Sequence, residues 1–455
     1  MHAVIVAGTH SGCGKTTIAL GLMAAFRAMG LKAQPFKCGP DFIDAGIHRL
    51  ITGIPSRNLD IWMCSEDYVR ECFYKHSEKA DISVIEGVMG IYDGRYSTAS
   101  IARLLNLPVI LVVDAYGMAE SAGALVKGYK DWADEANINL KWIIFNRVGS
   151  ERHFLRLKNS IKDVDIAGYL PRSLNFQIPH RHLGLLVAEE NPIDTEDINR
   201  LAEAVHKNID IKALISGSEL KSVVPDKFLN MNNLEMANCQ PQFKKIGVAY
   251  DKSFCFYYED NLDMLRNSCA EIVQFSPLAD SSLPDGIDVL YLGGGYPELY
   301  AESLSSNKRM LKEIHDWSQS GMPVYAECGG LMYLSKGIYV QDGRFFDMTG
   351  VFPFETSISL NRRAFLGYRE AMLKKECFLG YKGDFLRGHE FHYSEIKDKS
   401  KISDIDKLYS VKDSDGEARD DEGYSYKNTL ASYIHLHFGS NPQIASNFIN
   451  FIRRV

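Results

Sequence analysis

Three stretches of this chain combine residue types and spacings that could do chemistry. Residues 8–17 read G-T-H-S-G-C-G-K-T-T, after an apolar run and before a helix-like one. That is the setting in which a glycine-rich turn cradles phosphate. Gly12 and Gly14 would let backbone amides curl around phosphate oxygens, and the start of the helix would add its positive end. Lys15 would reach the outer phosphates with Thr17 beside it, and the Thr16 hydroxyl would sit on magnesium. Counting back from Gly14 and Lys15, Thr9 stands where such loops usually carry their first glycine, with Gly8 one place earlier.

A second stretch, I-S-V-I-E-G-V-M-G-I-Y-D-G (82–94), reads as an apolar strand ending in Glu86, with Asp93 further on. A carboxylate closing a strand beside a phosphate loop is placed to hold magnesium. The third is Y-A-E-C-G-G-L-M-Y-L (325–334), where Cys328 would occupy a sharp strand-to-helix turn. Such a turn exposes a nucleophile, and a helix start favours its thiolate. A lone cysteine is more often a small buried hydrophobe, but two partners change that balance. L-Y-L-G-G-G-Y-P-E (290–298) could turn the amides of Gly294 and Gly295 toward a tetrahedral oxyanion. A-S-Y-I-H-L-H-F (431–438) supplies His435 as the base for the thiol.

The elements that must position these residues alternate along the chain. Val4 to Ala7, Ile82 to Ile85, Val109 to Val113 and Trp142 to Phe145 read as buried parallel strands, separated by helical Thr16 to Met29 and Glu120 to Glu135. Residues 216–243, rich in Pro, Asn and Gln, interrupt the pattern and read as a linker. Alternation resumes at Ile246 to Ala249, Val289 to Leu292 and Val324 to Ala326, while the charged stretch 407–427 reads as an exposed loop or hairpin. The fold expected is α/β throughout: two doubly wound domains, residues 1–215 and 244–455, the first a parallel sheet behind the phosphate loop and the second a glutaminase-like sheet.

Bulk properties agree. At 455 residues the chain exceeds one ordinary core. A net charge of −7 and pI near 6.0 give no nucleic-acid signature. Nine irregularly spaced cysteines show no C-x-x-C pair, so neither a zinc site nor a disulfide framework is expected. No secretory leader or membrane-spanning run is evident, and a cytoplasmic setting is expected.

The phosphate loop, Glu86 and F-N-R-V (145–148) resemble the dethiobiotin-synthetase branch of P-loop proteins, in which an asparagine like Asn146 contacts adenine. Cys328, His435 and the glycine triplet resemble class I glutamine amidotransferases. Most of that class place a glutamate two residues after the histidine; here His437 stands there, so a Cys–His dyad is assigned and the third member left open.

The two domain types are fused in the corrinoid amidases. K-C-G-P-D-F-I-D (37–44) with His48, N-L-D-I-W-M (58–63), E-G-V-M-G-I-Y-D-G (86–94), R-H-L-G-L (181–185), D-K-S-F-C-F-Y-Y-E-D-N-L (251–262), L-G-Y-R (366–369) and G-H-E-F-H-Y-S (388–394) are similar to the cobyrinic acid a,c-diamide synthase family. The resemblance implies amidation of the a and c carboxylates of cobyrinic acid, with ATP, Mg²⁺ and L-glutamine, through an acyl phosphate. It implies Asp44 and Glu86 as magnesium ligands or as groups steering the carboxylate, Lys37 or another cation near the phosphates, and Asp41, Asp93, Arg57 and Arg181 at the substrate, with Arg95 and Arg172 in or beside family motifs. Nickel sirohydrochlorin or hydrogenobyrinic acid remain alternative tetrapyrrole substrates. His389 and His392 are read as part of the domain face, not a metal pair. A regulatory P-loop ATPase with an inert glutaminase domain fits poorly with a retained nucleophile, base and glycine triplet, and no basic amphipathic stretch suggests a membrane partner. A homodimer is one expectation that no residue pattern fixes.

Overall fold

A computed structural model describes residues 1–174, 176, 186–220, 244–358 and 364–452. The chain divides into two compact units, Met1–Asn230 and Met231–Val455.

The first unit is built on β1 (His2–Gly8), β2 (Ala33–Cys38), β3 (Arg57–Leu59), β4 (Ile82–Glu86), β5 (Val109–Asp114), β6 (Leu140–Val148) and β7 (Asp165–Pro171). They pair in the order β3-β2-β4-β1-β5-β6-β7, all parallel. Strands covered on both faces must be apolar on both, hence the unbroken runs A-V-I-V-A and V-I-L-V-V. Alternation divides them: Ala3, Ile5 and Ala7 face one core with Leu111 and Phe145, while Val4 and Val6 face another with Ile18, Leu22 and Phe26. The last three belong to α1 (Lys15–Ala28), which starts directly after the phosphate loop. After β2 comes α2 (Ile43–Thr52). β1 continues into the phosphate loop, β2 into 39–42, β4 into Gly87 and β6 past Asn146, so the phosphate loop, Asp41, Asp44, Glu86 and Asn146 lie at or beyond the carboxyl ends of parallel strands, where open α/β sheets bind ligands, while Arg57 stands at the start of β3. Residues 211–217 are helical, and Ser218 and Leu220 make backbone bonds back to Ala3 and Met1. The linker stretch 221–243 lies outside the described residues.

The second unit contains β8 (Lys244–Ala249), β9 (Ala270–Phe275), β10 (Val289–Leu292), β11 (Val324–Glu327), β12 (Gly337–Tyr339), β13 (Phe345–Asp347), β14 (Glu355–Ile358), β15 (Phe365–Leu373), β16 (Phe385–His392), β17 (Ser394–Ile396), β18 (Asp406–Asp413), β19 (Glu422–Tyr426), β20 (Thr429–Ser432) and β21 (His435–Leu436). Ten form one sheet in the order β21-β16-β15-β18-β19-β20-β11-β10-β8-β9; β12, β13, β14 and β17 form a smaller one. The run β20-β11-β10-β8-β9 is parallel, and everything beyond β20 is antiparallel. The charged stretch 407–427 is the β18–β19 hairpin, joined by a largely exposed loop. Cys269, with a left-handed φ of 71°, is disulfide-bonded, a pairing that cysteine spacing did not announce. Among the described residues no helix is long and apolar enough to cross a membrane.

Candidate active sites

The phosphate loop turns on two left-handed glycines, Gly12 (φ 82°) and Gly14 (φ 101°). Gly14 is doubly constrained, because a Cβ there would run into the Asn146 amide. That amide donates to the Cys13 carbonyl (3.1 Å), fastening the end of β6 to the loop. Gly12, Gly14, Thr17, Tyr116, Asn146 and Arg172 help line a pocket of about 330 Å³, where the Arg172 guanidinium lies 4.4 Å over the Tyr116 ring.

Behind the loop is a buried charge cluster. Glu86 accepts from Thr16 Oγ1 (2.6 Å) and Lys37 Nζ (3.0 Å) on Oε1, and lies 2.7 Å from His48 Nε2 through Oε2. Lys37 also donates to Asp44 Oδ2 at 2.5 Å, and His48 Nδ1 is 3.1 Å from Ser56 Oγ. Burial works against the charge on Glu86, but Lys37, then His48 and Thr16, outweigh it and hold the carboxyl well below its usual range. Burial opposes Lys37 too, and Asp44 with Glu86 keeps it charged. Asp44 goes the other way: burial, Asp41 and Glu86 raise it against the pull of Lys37. Glu86 has three donors and Asp44 one side-chain donor, so the standing negative charge is on Glu86. Lys15 Nζ rests 3.3 Å from the His10 carbonyl, its pKa lowered by burial.

Asp41 Oδ1 accepts from the Ile43 and Asp44 amides (2.7 and 3.0 Å), anchoring the start of α2. Asp93 is exposed and accepts from the Gly90 amide at 2.9 Å. Arg57 is buried in β3. Arg95 is exposed, and Arg181 lies outside the described residues.

In the second unit Cys328 sits between β11 and the helix Gly329–Leu334, at φ 47° and ψ −100°. Such strain on a non-glycine residue is what a nucleophile turn requires. Its amide donates to the Ser432 carbonyl (2.7 Å), tying it to the end of β20. The expectation of a favoured thiolate is reversed here. Burial, then the Glu298 charge, pushes the thiol up, and only the Gly329 amide among the main influences lowers it. The helix is too short and the burial too deep for its dipole to win. A neutral thiol needs a base.

His435 begins β21, buried, with its ring against Gly294, where a Cβ would strike the imidazole. It stacks on His389 (centroids 4.9 Å, 18°), whose Nδ1 is 2.7 Å from the Tyr258 hydroxyl. Burial and the neighbouring His389 hold His435 well below the usual histidine range. Both nitrogens of His392 are engaged, by Glu390 Oε1 (2.8 Å) and the Ser394 carbonyl (2.7 Å). Of the two expected oxyanion donors, Gly294 gives its amide to the Phe256 carbonyl (3.3 Å). Gly295, at φ 155°, keeps its amide nitrogen 3.0 Å from where a Gly329 Cβ would stand.

Residues 4–186 match the CobQ/CobB/MinD/ParA nucleotide binding domain, and residues 245–443 match the CobB/CobQ-like glutamine amidotransferase domain. A protein of Caldanaerobacter subterraneus subsp. tengcongensis named cobyrinate a,c-diamide synthase is 40% identical over 98% of this chain and 97% of its own. Proteins of the same name from Syntrophotalea carbinolica and Leptospira interrogans are each 41% identical, over 99% and 98% of this chain and 98% and 97% of theirs. This chain belongs to the cobyrinate a,c-diamide synthase family.

Within that family's two domains, one residue escaped the sequence reading altogether. Glu327 ends β11 as Glu86 ends β4, in V-Y-A-E as in I-S-V-I-E. The signal was the same, a carboxylate closing an apolar strand, here directly before Cys328. The role of His48 was missed for another reason: a histidine in the middle of α2 carries no sign of which strand it will face.

Proposed function

We propose that this chain converts the a and c carboxylates of cobyrinic acid into amides, using ATP and glutamine, in cobalamin biosynthesis. The observation that carries the reading is near full-length similarity to relatives of that name, with a phosphate loop and a Cys–His pair in one chain.

In the first unit, Gly12, Gly14, Lys15, Thr16 and Thr17 hold the ATP phosphates and Asn146 the base. A carboxylate oxygen of the substrate takes the γ-phosphoryl group, ADP leaves, and an acyl phosphate results. Little covalent chemistry falls to the protein in such a transfer, so positioning and charge do the catalysis. Thr16 and Glu86 suit magnesium, being hard oxygen donors 2.6 Å apart with Glu86 held ionised. Asp44 joins them only if Lys37 releases it. Bound there, the metal would neutralise phosphate charge. Lys37 lends positive charge to the same cluster, while Arg57, Asp41 and Asp93, with Arg181 outside the described residues, are assigned to the substrate.

In the second unit, His435 takes the thiol proton of Cys328 as sulfur attacks the carboxamide carbon of glutamine. The oxyanion draws on the amides of Gly295 and Gly329, the latter following the nucleophile in the chain. The proton passes to departing ammonia, water hydrolyses the thioester to glutamate, and ammonia displaces phosphate from the acyl phosphate. We place this chemistry in the cytoplasm.

The test is amidation of cobyrinic acid by wild type and Cys328→Ala, with glutamine or ammonium as donor. Loss of glutamine use with ammonium use retained supports both sites. No amide from either donor sinks the cobyrinic acid reading and moves the trial to hydrogenobyrinic acid and nickel sirohydrochlorin.

A further inference from the structure

The glutaminase pair described above lacks the glutamate that usually follows the histidine by two residues. His437 stands there, and it turns elsewhere: its Nδ1 accepts from the Gly439 amide (3.1 Å), its Nε2 lies 3.9 Å from Asp260, and its ring is 4.6 Å from that of Tyr258. A carboxylate does reach His435, from the opposite direction in sequence. Glu327 Oε2 is 3.9 Å from His435 Nδ1, and both side chains are 1% exposed.

Glu327 is itself held rigidly. Oε1 accepts from the Tyr325 hydroxyl (2.6 Å) and the Leu436 amide (3.0 Å), and Oε2 accepts from the Tyr291 hydroxyl (3.1 Å). These donors come from β11, β21 and β10, so three strands fix one carboxyl group. The Leu436 bond adjoins His435 in the chain, so it ties the strand bearing the base to the strand that presents the nucleophile.

We infer that Glu327 is the positioning residue of the glutaminase, its carboxylate orienting His435 through Nδ1 so that Nε2 serves the Cys328 thiol. The inference rests on the glutamine-donor reading proposed above. In the proton transfer, Cys328 loses its proton to His435 Nε2, and the imidazolium passes it to the departing ammonia. Glu327 takes no proton from this transfer; it stabilises the imidazolium and fixes the tautomer, as a buried carboxylate does for other histidine bases. The arrangement does by fold what most of the class does with a residue two places after the histidine.

Burial raises Glu327 to about 7, against bonds from Tyr325, Leu436 and Tyr291. Among the described residues, the groups facing this pair are Tyr257, Tyr291, Tyr325, Tyr409, Cys328 and the Leu436 amide around Glu327, and His389, His392 and Glu390 around His435. None of these tyrosines ionises near neutrality, since burial raises all four well above their ordinary value. The ionised, working form of Glu327 therefore accumulates as pH rises through about 7.

The experiment measures glutamine-driven kcat and KM against pH for wild type, Glu327→Gln and Glu327→Asp, with ammonium-driven amidation as the check on folding. Glu327→Gln should lose at least about 10²-fold in glutamine-driven kcat with little change in KM, the range expected when a base is misoriented. Its rate should also lose the rising limb near neutrality, while the ammonium-driven rate persists. Glu327→Asp, shorter but still charged, should recover part of the rate and keep the limb. The inference is overturned if Glu327→Gln keeps kcat and limb, if glutamine and ammonium rates fall in equal proportion, or if Glu327→Asp recovers nothing. A wild type that hydrolyses no glutamine would instead overturn the donor reading, and this inference with it.

Discussion

Two buried polar clusters, one in each unit, treat charge in opposite ways. Around Glu86, burial is answered by partners: Lys37, His48 and Thr16 converge on one carboxylate and keep it ionised. Around Cys328, burial is left to act. The thiol is raised, His435 is lowered, and Glu327 is raised to about 7, so each group tends toward its neutral form. A site that must meet phosphate and magnesium benefits from charges already paid for in folding. A buried thiol and imidazole whose pKa values are pushed apart keep the proton on sulfur at rest, so the charged pair forms only as the nucleophile attacks.

The contrast can be broken first at Lys37. Lys37→Met leaves Glu86 and Asp44 buried without their cation, and should cost roughly 3–5 kcal/mol of stability in urea unfolding, the usual result of removing one partner of a buried pair. The same variant should lose amidation from glutamine and ammonium alike. Because Glu86 is depressed in the folded state, its contribution in wild type is full above the ordinary carboxylate range and drains away as pH falls below it, so acid unfolding of wild type should be steepest there.

The two glycines beside the clusters sharpen the division of labour. Gly294→Ala drives a methyl group into the His435 ring and should lower glutamine-driven kcat by about 10²-fold, as displacements near 1 Å do, while sparing ammonium use. Gly14→Ala meets both a left-handed φ and the Asn146 amide, and should lower amidation by a similar factor of about 10²-fold with either donor. Equal losses for the two donors in Gly294→Ala would show that the sites do not divide the work.

The smallest effect is a slope. Glu422, bonded to Ser432 beside the nucleophile turn, is raised from 4.5 to about 7, by burial first and Glu390 second. The native state then holds a proton that the unfolded chain releases, so stability falls with rising pH between those values. Glu422→Gln should flatten that slope by at most about 1.4 kcal/mol per pH unit, read from thermal melts across the window.

Much of the architecture was legible because parallel strands buried on both faces must be apolar throughout. Four such runs mark β1, β4, β5 and β6, and three more mark β8, β10 and β11. The antiparallel half of the second sheet left a weaker trace. In β15, F-L-G-Y-R-E-A-M-L, only Ala371 and Leu373 are buried, so neither an apolar run nor a clean alternation announces the strand. The hairpin at 407–427 was visible only as charge.

By itself, the sequence determined the reactive side chains whose chemistry needs a local backbone: Gly12, Gly14, Lys15 and Thr16 on one turn, and Cys328 between a strand and two glycines on another. A turn, a cap or a strand end is decided over a few residues, so its signature survives in the string. Only the tertiary structure decided which groups those side chains meet. Lys37 finding Glu86, His48 finding Glu86, Glu298 opposing the thiolate of Cys328, and Glu327 reaching His435 join elements far apart in the chain. Their protonation follows from burial and neighbouring charge, and neither exists until the sheets have closed.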